Sequence, residues 1–422
     1  MNVIDCICRF LVKRVFNNYF LLLAIDGLLS LIGYVQFAKF DLILLISGLI
    51  LAIDKFRRKG ISWIDVYIIA FSFVIAITSL SNNYPHELWF WGIRYQLLIT
   101  LFFFVGEHPY MRSWNMFENA KIPFLVVCAI GLGLFLVQPS WYVEYKLSGF
   151  TNASENRLLE MTRLSAFWVY PYWVSYGCSI LFLYISFKSF YLEGYISKTN
   201  MFVLIFLFFV ALLTQQRAAI GFISLITFIL LYKGLFVKDR KKRKFSKSIL
   251  LFVGLSTCLI LILFSFLDEE RIIFMFNKVD VLLSSTNYSG NSFIQDRINL
   301  FSDFFYKKVS FFGDGIGRYS HAAYNMGKMA ITDQQYMQIF YETGYWGIIS
   351  YISLFAIVLF KAAKNVDYNI FEIGIVLFFL IAMSGANSLS SNSQHTIIFW
   401  ICCGRIFNKD CLKYKKAIYQ NL

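Results

Sequence analysis

Long apolar runs, broken by short polar or basic segments, repeat along most of the chain. A helix needs about 20 mostly apolar residues to cross a hydrocarbon layer roughly 30 Å thick, and these runs approach that length. They predict helices near residues 19–38, 40–54, 61–80, 89–105, 122–138, 165–187, 199–214, 218–232, 249–267, 344–360, 370–388 and 394–407. The stretch from 201 to 234, MFVLIFLFFVALLTQQRAAIGFISLITFILLYKG, holds two runs with Thr214, Gln215, Gln216 and Arg217 wedged between them. One helix over both runs would measure about 48 Å, too long for a single crossing, so an elbow is expected at the polar group. Each half rises about 24 Å, which puts the elbow slightly below the outer surface and lets Arg217 line a recess there. The plainer role for such an arginine is snorkelling to lipid headgroups.

Composition turns this pattern into a class. The 422 residues are 58% hydrophobic, with 47 Phe, 26 Tyr and only 5 Pro. That exceeds the roughly 45–50% apolar content of soluble domains, and the chain reads as an all-α polytopic integral membrane protein with about twelve transmembrane helices in a single membrane domain, 1–422. The formal charge of +14 does not point to nucleic acid, because most Lys and Arg lie between apolar runs, where they signal topology. Starting inside with Arg9, Lys13 and Arg14, alternate connections collect the cations, in KFRRKG at 55–60, KGLFVKDRKKRKFSK at 233–247 and the KDCLKYKK tail. Roughly 26 of the 39 cations then face the cytoplasm, as do both termini. No small-residue cleavage site follows the first run, so it is read as a retained span. The eight Cys fall in spans or on the inner side, so no disulfides are expected. His86, His108, His321 and His395 are scattered without paired spacing, and no metal site is expected.

Two outer connections are long enough to carry chemistry. Residues 268–343 form the larger loop and 139–165 the smaller. Arg163 lies in TRLSAFWVYPYW at the end of the smaller loop. In the larger, Arg297 opens DRINLFSDFFYKK, where Ile294, Ile298, Phe301 and Phe305 share one helical face and Asp296, Asn299, Asp303 and Lys307 the other. Arg318 follows in GDGIGRYSHAAY, either a diphosphate ligand or a partner in a surface ion pair with neighbouring acids. Gly313, Gly315 and Gly317 read as a turn, with a backbone anion nest as the alternative. Thr332 and Gln335 have capping-box spacing ahead of the next helix, and Asp333 beside them is placed to face a reacting hydroxyl. Several arginines at a lipid boundary suit a lipid-linked diphosphate, because guanidinium forks match phosphate oxygens in pairs.

TRLSAFWVYP, LLTQQRAAIGF, DRINLFSDFFYKKVSFFGDGIGRYS and DQQYMQIFYETGYWGIISYI, in that order along residues 160–360, resemble the bacterial O-antigen polymerase/ligase family. The resemblance implies a GT-C-like membrane glycosyltransferase working without metal or other cofactor at the periplasmic face of the bacterial inner membrane. Its substrates would be undecaprenyl-diphosphate-linked oligosaccharides, and a chain-length regulator and a flippase are further partners it allows. It implies that Arg163, Arg217 and Arg297 hold the diphosphate, while Arg318 has no firm match in the family pattern and rests on charge and position. Candidate general bases are Asp333, Glu342 and His321. Ligases of the family usually carry a His in the closing motif, where this chain has Asp333, Gln334 and Gln335, which favours an O-antigen polymerase. His321 nearby keeps the ligase alternative open. A polysaccharide flippase or transporter is the other alternative; it would place more charge inside its spans than Asp26 and Arg94 supply. No Asp-x-Asp occurs, which weighs against a metal-dependent nucleotide-sugar enzyme.

Overall fold

The computed structural model describes residues 3–33, 40–80, 82, 84–148, 161–236, 309–320, 322–323, 326–331, 334–384, 386, 388–389 and 395–420. The expected span at 249–267, the amphipathic segment with Arg297, and His321, Thr332 and Asp333 lie outside the described residues. Every regular element among the described residues is a helix. In chain order they are α1 (Val3–Arg14), α2 (Tyr19–Leu31), α3 (Phe40–Lys59), α4 (Trp63–Leu80), α5 (His86–Glu107), α6 (Asn115–Val137), α7 (Ser140–Leu147), α8 (Tyr172–Phe187), α9 (Lys198–Thr214), α10 (Arg217–Phe236), α11 (Gln335–Ala363), α12 (Val366–Ala382), α13 (His395–Phe407) and α14 (Lys409–Gln420).

Four of these, α4, α5, α6 and α11, are long and apolar enough to cross a membrane. Shorter apolar helices, among them α9 and α13, stand beside them. Large apolar side chains also face outward at helical spacing: Leu42, Ile46, Leu49 and Ile53 on α3, and Val66, Ile69, Phe73 and Ile77 on α4, are all exposed. Stripes of that extent have no favourable place in water and suit a lipid environment. The centre of the bundle is built the opposite way. From Trp173 onward every residue of α8 is buried, and so is α13 from His395 to Ile406, which is what a helix apolar on all sides requires.

Helix α13 crosses α5 at backbone contact. A Cβ on Gly106 would stand 2.2 Å from the Ile401 carbonyl oxygen, and one on Gly404 1.9 Å from that of Phe103. Small residues allow such closeness, and dispersion contacts between the helices stabilise it.

The helix ends gather at two ends of the bundle. At one, Lys55 pairs with Asp65 (2.5 Å) and Glu107 (2.6 Å), Lys59 with Asp410 (2.8 Å), and the fully buried Glu372 with Arg405 (3.0 Å) and Lys415 (2.8 Å). This end also carries α1 and α14, two short charged helices that the search for long apolar runs did not anticipate. At the other end the 309–320 segment meets the α4–α5 connection, where Tyr84 Oη donates to the Ile316 carbonyl at 3.0 Å.

Candidate functional site

The elbow anticipated at 214–217 is present. Helix α9 stops at Thr214, Gln215 adopts the left-handed conformation (φ 55°), and α10 starts at Arg217. Thr214 helps to stop the first helix, its hydroxyl donating to the Ala211 carbonyl at 2.6 Å. The smaller loop returns to this elbow. Leu164 N donates to the Leu213 carbonyl at 2.9 Å, and Gln215 Nε2 to that of Thr162 at 2.8 Å. The Arg163 carbonyl accepts from Lys146 Nζ at 2.7 Å, and that of Met161 from Gln138 Nε2 at 2.6 Å. Two of these bonds therefore tie the backbone on both sides of Arg163 to the elbow before α10, and the other two hold it to α7 and to the residue after α6. The structure thus brings the Arg163 and Arg217 segments together, the first side chain half-buried and the second exposed. A cation in the first turn of a helix opposes the helix dipole, at a cost of about 0.3–1 kcal/mol, and an anion at the elbow would reverse that sign.

Arg318 sits in a different cluster. It donates to its own turn, through Nη1 to the Asp314 carbonyl (3.4 Å), while Tyr319 Oη donates to Asp314 Oδ2 at 2.5 Å. Burial, and then the Asp314 carboxylate, raise the Tyr319 phenol above its usual range. Asp314 had drawn no attention in the sequence; its only signal there was its place between two glycines.

The glycine run is a turn, and its backbone also forms a nest, but the anion in it is a side chain of the protein. Gly313, Gly315 and Gly317 have φ of 77°, 110° and 82°, the region that favours glycine. The N–H groups of residues 314–316 are taken up internally: Asp314 N donates to the Tyr341 carbonyl (2.8 Å), Gly315 N to that of Glu342 (3.0 Å) and Ile316 N to Ser79 Oγ (3.0 Å). The Glu342 carboxylate accepts from Tyr319 N (2.9 Å), Gln338 Nε2 (3.0 Å) and Gln96 Nε2 (2.8 Å). It is wholly buried. Three charge-assisted donors fix it as the pin of this loop, and no acceptor position faces solvent.

Two further polar residues gain tasks. Gln96 lies in a π-helical stretch of α5, Ile93–Leu97, and such stretches recur at functional positions. Arg94 in the same stretch pairs with Asp41 of α3. Helix α11 starts at Gln335 rather than near 344, because its buried polar first turns are satisfied from other helices. Gln335 bonds to another part of the chain: its N–H donates to the Met383 carbonyl (3.1 Å) and its Oε1 accepts from Leu389 N (2.9 Å), while its expected capping-box partner Thr332 lies outside the described residues. A break at Gly344 (φ 66°) then separates the polar start of α11 from its apolar remainder.

At the ion-paired end, Cys8, Asp54 and His108 bring a thiol, a carboxylate and an imidazole within 4.8 Å of one another. Spacing along the chain concealed this group, since its members come from separate elements. Asp54 is already held by Arg57 (2.9 Å) and Arg58 (2.5 Å). His108 Nδ1 accepts from Tyr110 N at 3.3 Å, which leaves the proton on Nε2, facing Asp54 at 3.2 Å. Burial holds the His108 pKa below its usual value and, with the Asp54 charge, pushes the Cys8 thiol up to about 11. The trio is therefore a neutral imidazole and a thiol on a carboxylate that two guanidiniums compensate.

No family model matches the chain, and no curated protein is similar to it in sequence. The functional reading therefore rests on the residues themselves.

Proposed function

We propose that the chain is an O-antigen polymerase: it moves a growing undecaprenyl-diphosphate-linked chain onto a new lipid-linked repeat unit at the periplasmic face of the inner membrane, releasing undecaprenyl diphosphate. The observation that carries this reading is the bonding of the Arg163 segment to the elbow at Arg217, at the end of the bundle opposite the ion-paired one. On this reading both guanidiniums, with Arg297, grip the diphosphate near the headgroups, while Arg318 supports the loop that carries the acceptor side.

A hydroxyl oxygen of the incoming unit attacks the anomeric carbon of the growing chain. The new C–O bond forms as the bond from that carbon to the diphosphate oxygen breaks. The hydroxyl proton passes to a general base, for which Asp333 and His321 are the sequence candidates; Glu342, pinned inside the loop, is better suited to holding the loop than to taking a proton. Diphosphate is a good leaving group, so catalysis here consists of positioning two saccharides and stabilising charge on the departing oxygens.

Deleting the gene in its host and resolving the lipopolysaccharide on a gel tests the class. A polymerase defect leaves core plus one repeat unit; core without any repeat unit would instead indicate a ligase or flippase, and an intact ladder removes polymerisation from this protein's tasks. Arg217→Lys tests the arginine model, since it keeps the charge and loses the fork. The expected result is a collapse of chain length at normal protein level, and normal banding would refute it.

A further inference from the structure

The ion-paired end carries a cavity of about 850 Å³ that the polymerase reading does not use. Three separate pieces of chain wall it: the end of α1 with the turn after it, the turn that leads into α6, and Asp410 of α14. Lys13, Arg14 and Arg112 line it, with the amides of Asn17, Asn115 and Asn119 between them. Arg9 stands at the same wall but is engaged by Asp5 (3.3 Å). Among the described residues the one acid lining the cavity, Asp410, is held by Lys59 at 2.8 Å. Among the described residues no carboxylate pairs with Lys13, Arg14 or Arg112, although this end elsewhere matches its cations to acids. The carbonyls of Lys13 and Arg14 are capped by Asn18 Nδ2, both at 3.1 Å, which fixes the end of α1 at the cavity mouth.

Helix α1 sets the depth of the cavity. Val3, Ile4, Ile7 and Phe10 form an exposed apolar stripe, while Cys8 and Val12 on the opposite side are buried against the bundle. A helix of that kind lies in the membrane interface with its apolar face toward acyl chains, so its basic end meets the headgroups. We infer that this cavity binds the phosphate group of an anionic phospholipid. The three uncompensated cations neutralise the phosphate, the arginine forks take its oxygens in pairs, and the amides hydrogen-bond the rest of the headgroup. Its volume lies within the roughly 300–1,000 Å³ range of small-molecule sites.

The test uses the full-length protein, reconstituted in vesicles of phosphatidylglycerol and phosphatidylcholine, extracted, and examined by native mass spectrometry for retained lipid. The wild type is expected to retain phosphatidylglycerol. Lys13→Gln/Arg14→Gln/Arg112→Gln should lower that retention at least about tenfold, a modest demand for three charge-assisted contacts. Lys361→Gln/Lys364→Gln/Lys416→Gln, which removes three exposed cations outside the cavity, should leave it unchanged. If the cavity variant loses its helical circular dichroism, Arg112→Gln alone is the substitute, with a smaller loss in the same direction. Equal retention by wild type and cavity variant overturns the inference. So does displacement of the lipid by millimolar inorganic phosphate, which would make the ligand a soluble phosphate.

Discussion

At the scale of single residues, Glu342 decides what the glycine-rich turn is for. A wholly buried carboxylate is costly to keep unless its oxygens are met by donors, and here they are met from three places: its own helix, α5, and the turn. Glu342→Gln keeps the shape but turns one acceptor oxygen into a donor facing another donor. The expected cost is about 1–3 kcal/mol, read as a lower unfolding temperature of the detergent-purified protein and easier proteolysis within residues 309–320; unchanged stability would show that the turn is held by something else. Part of this was legible in the sequence. Gln338 and Glu342 stand four apart on one helical face, and the glycines mark the turn. The donor that completes the set, Gln96, lies 246 residues away and was hidden, since a lone amide inside an apolar run gives no hint of which other helix it meets.

At the scale of elements, apolar runs located the helices better than their limits. Helix α3 continues beyond the expected 54 to Lys59 because its charged last turn is paired: Asp54 with Arg57 and Arg58, and Lys55 with acids of α4 and α5. Helices α1 and α14 escaped a reading based on long apolar runs, being short and amphipathic. The tightest packing was equally silent in the sequence, since Gly106 and Gly404 look like any other glycines there. Gly106→Ala places a methyl group 2.2 Å from the Ile401 carbonyl oxygen, so α5 and α13 must separate. Overpacking of this kind costs about 1–3 kcal/mol, and the yield of monodisperse protein should fall. Gly133→Ala in α6 is the control: no atom lies within 4 Å of its added methyl group. Its outcome should be neutral or, through helix propensity, stabilising by up to about 1 kcal/mol. If the two variants behave alike, glycine contact is not what joins α5 to α13.

At the scale of the whole molecule, the chain separates its chemistry by end. One end matches lysines and arginines to acids across helices α3, α4, α5, α12, α13 and α14, and keeps the cation-lined cavity; the other carries the arginine elbow and the glycine turn. The polymerase reading requires that the first end face the cytoplasm, where a surplus of cations belongs, and that the second face the periplasm. The cysteines make this measurable. Among the described residues Cys6 is exposed and the other cysteines are buried, and it lies on α1 at the ion-paired end. Met329, exposed and in the segment that meets the glycine turn, reports the opposite end. In protein carrying Cys258→Ser, a membrane-impermeant maleimide should modify Cys6 in inverted membrane vesicles and leave it intact in right-side-out ones. With Cys6→Ser and Met329→Cys added, the pattern should invert. Modification of both positions from one side would mean that the two ends do not straddle the bilayer, and the arginines at the elbow would then have no route to a lipid-linked donor in the outer leaflet.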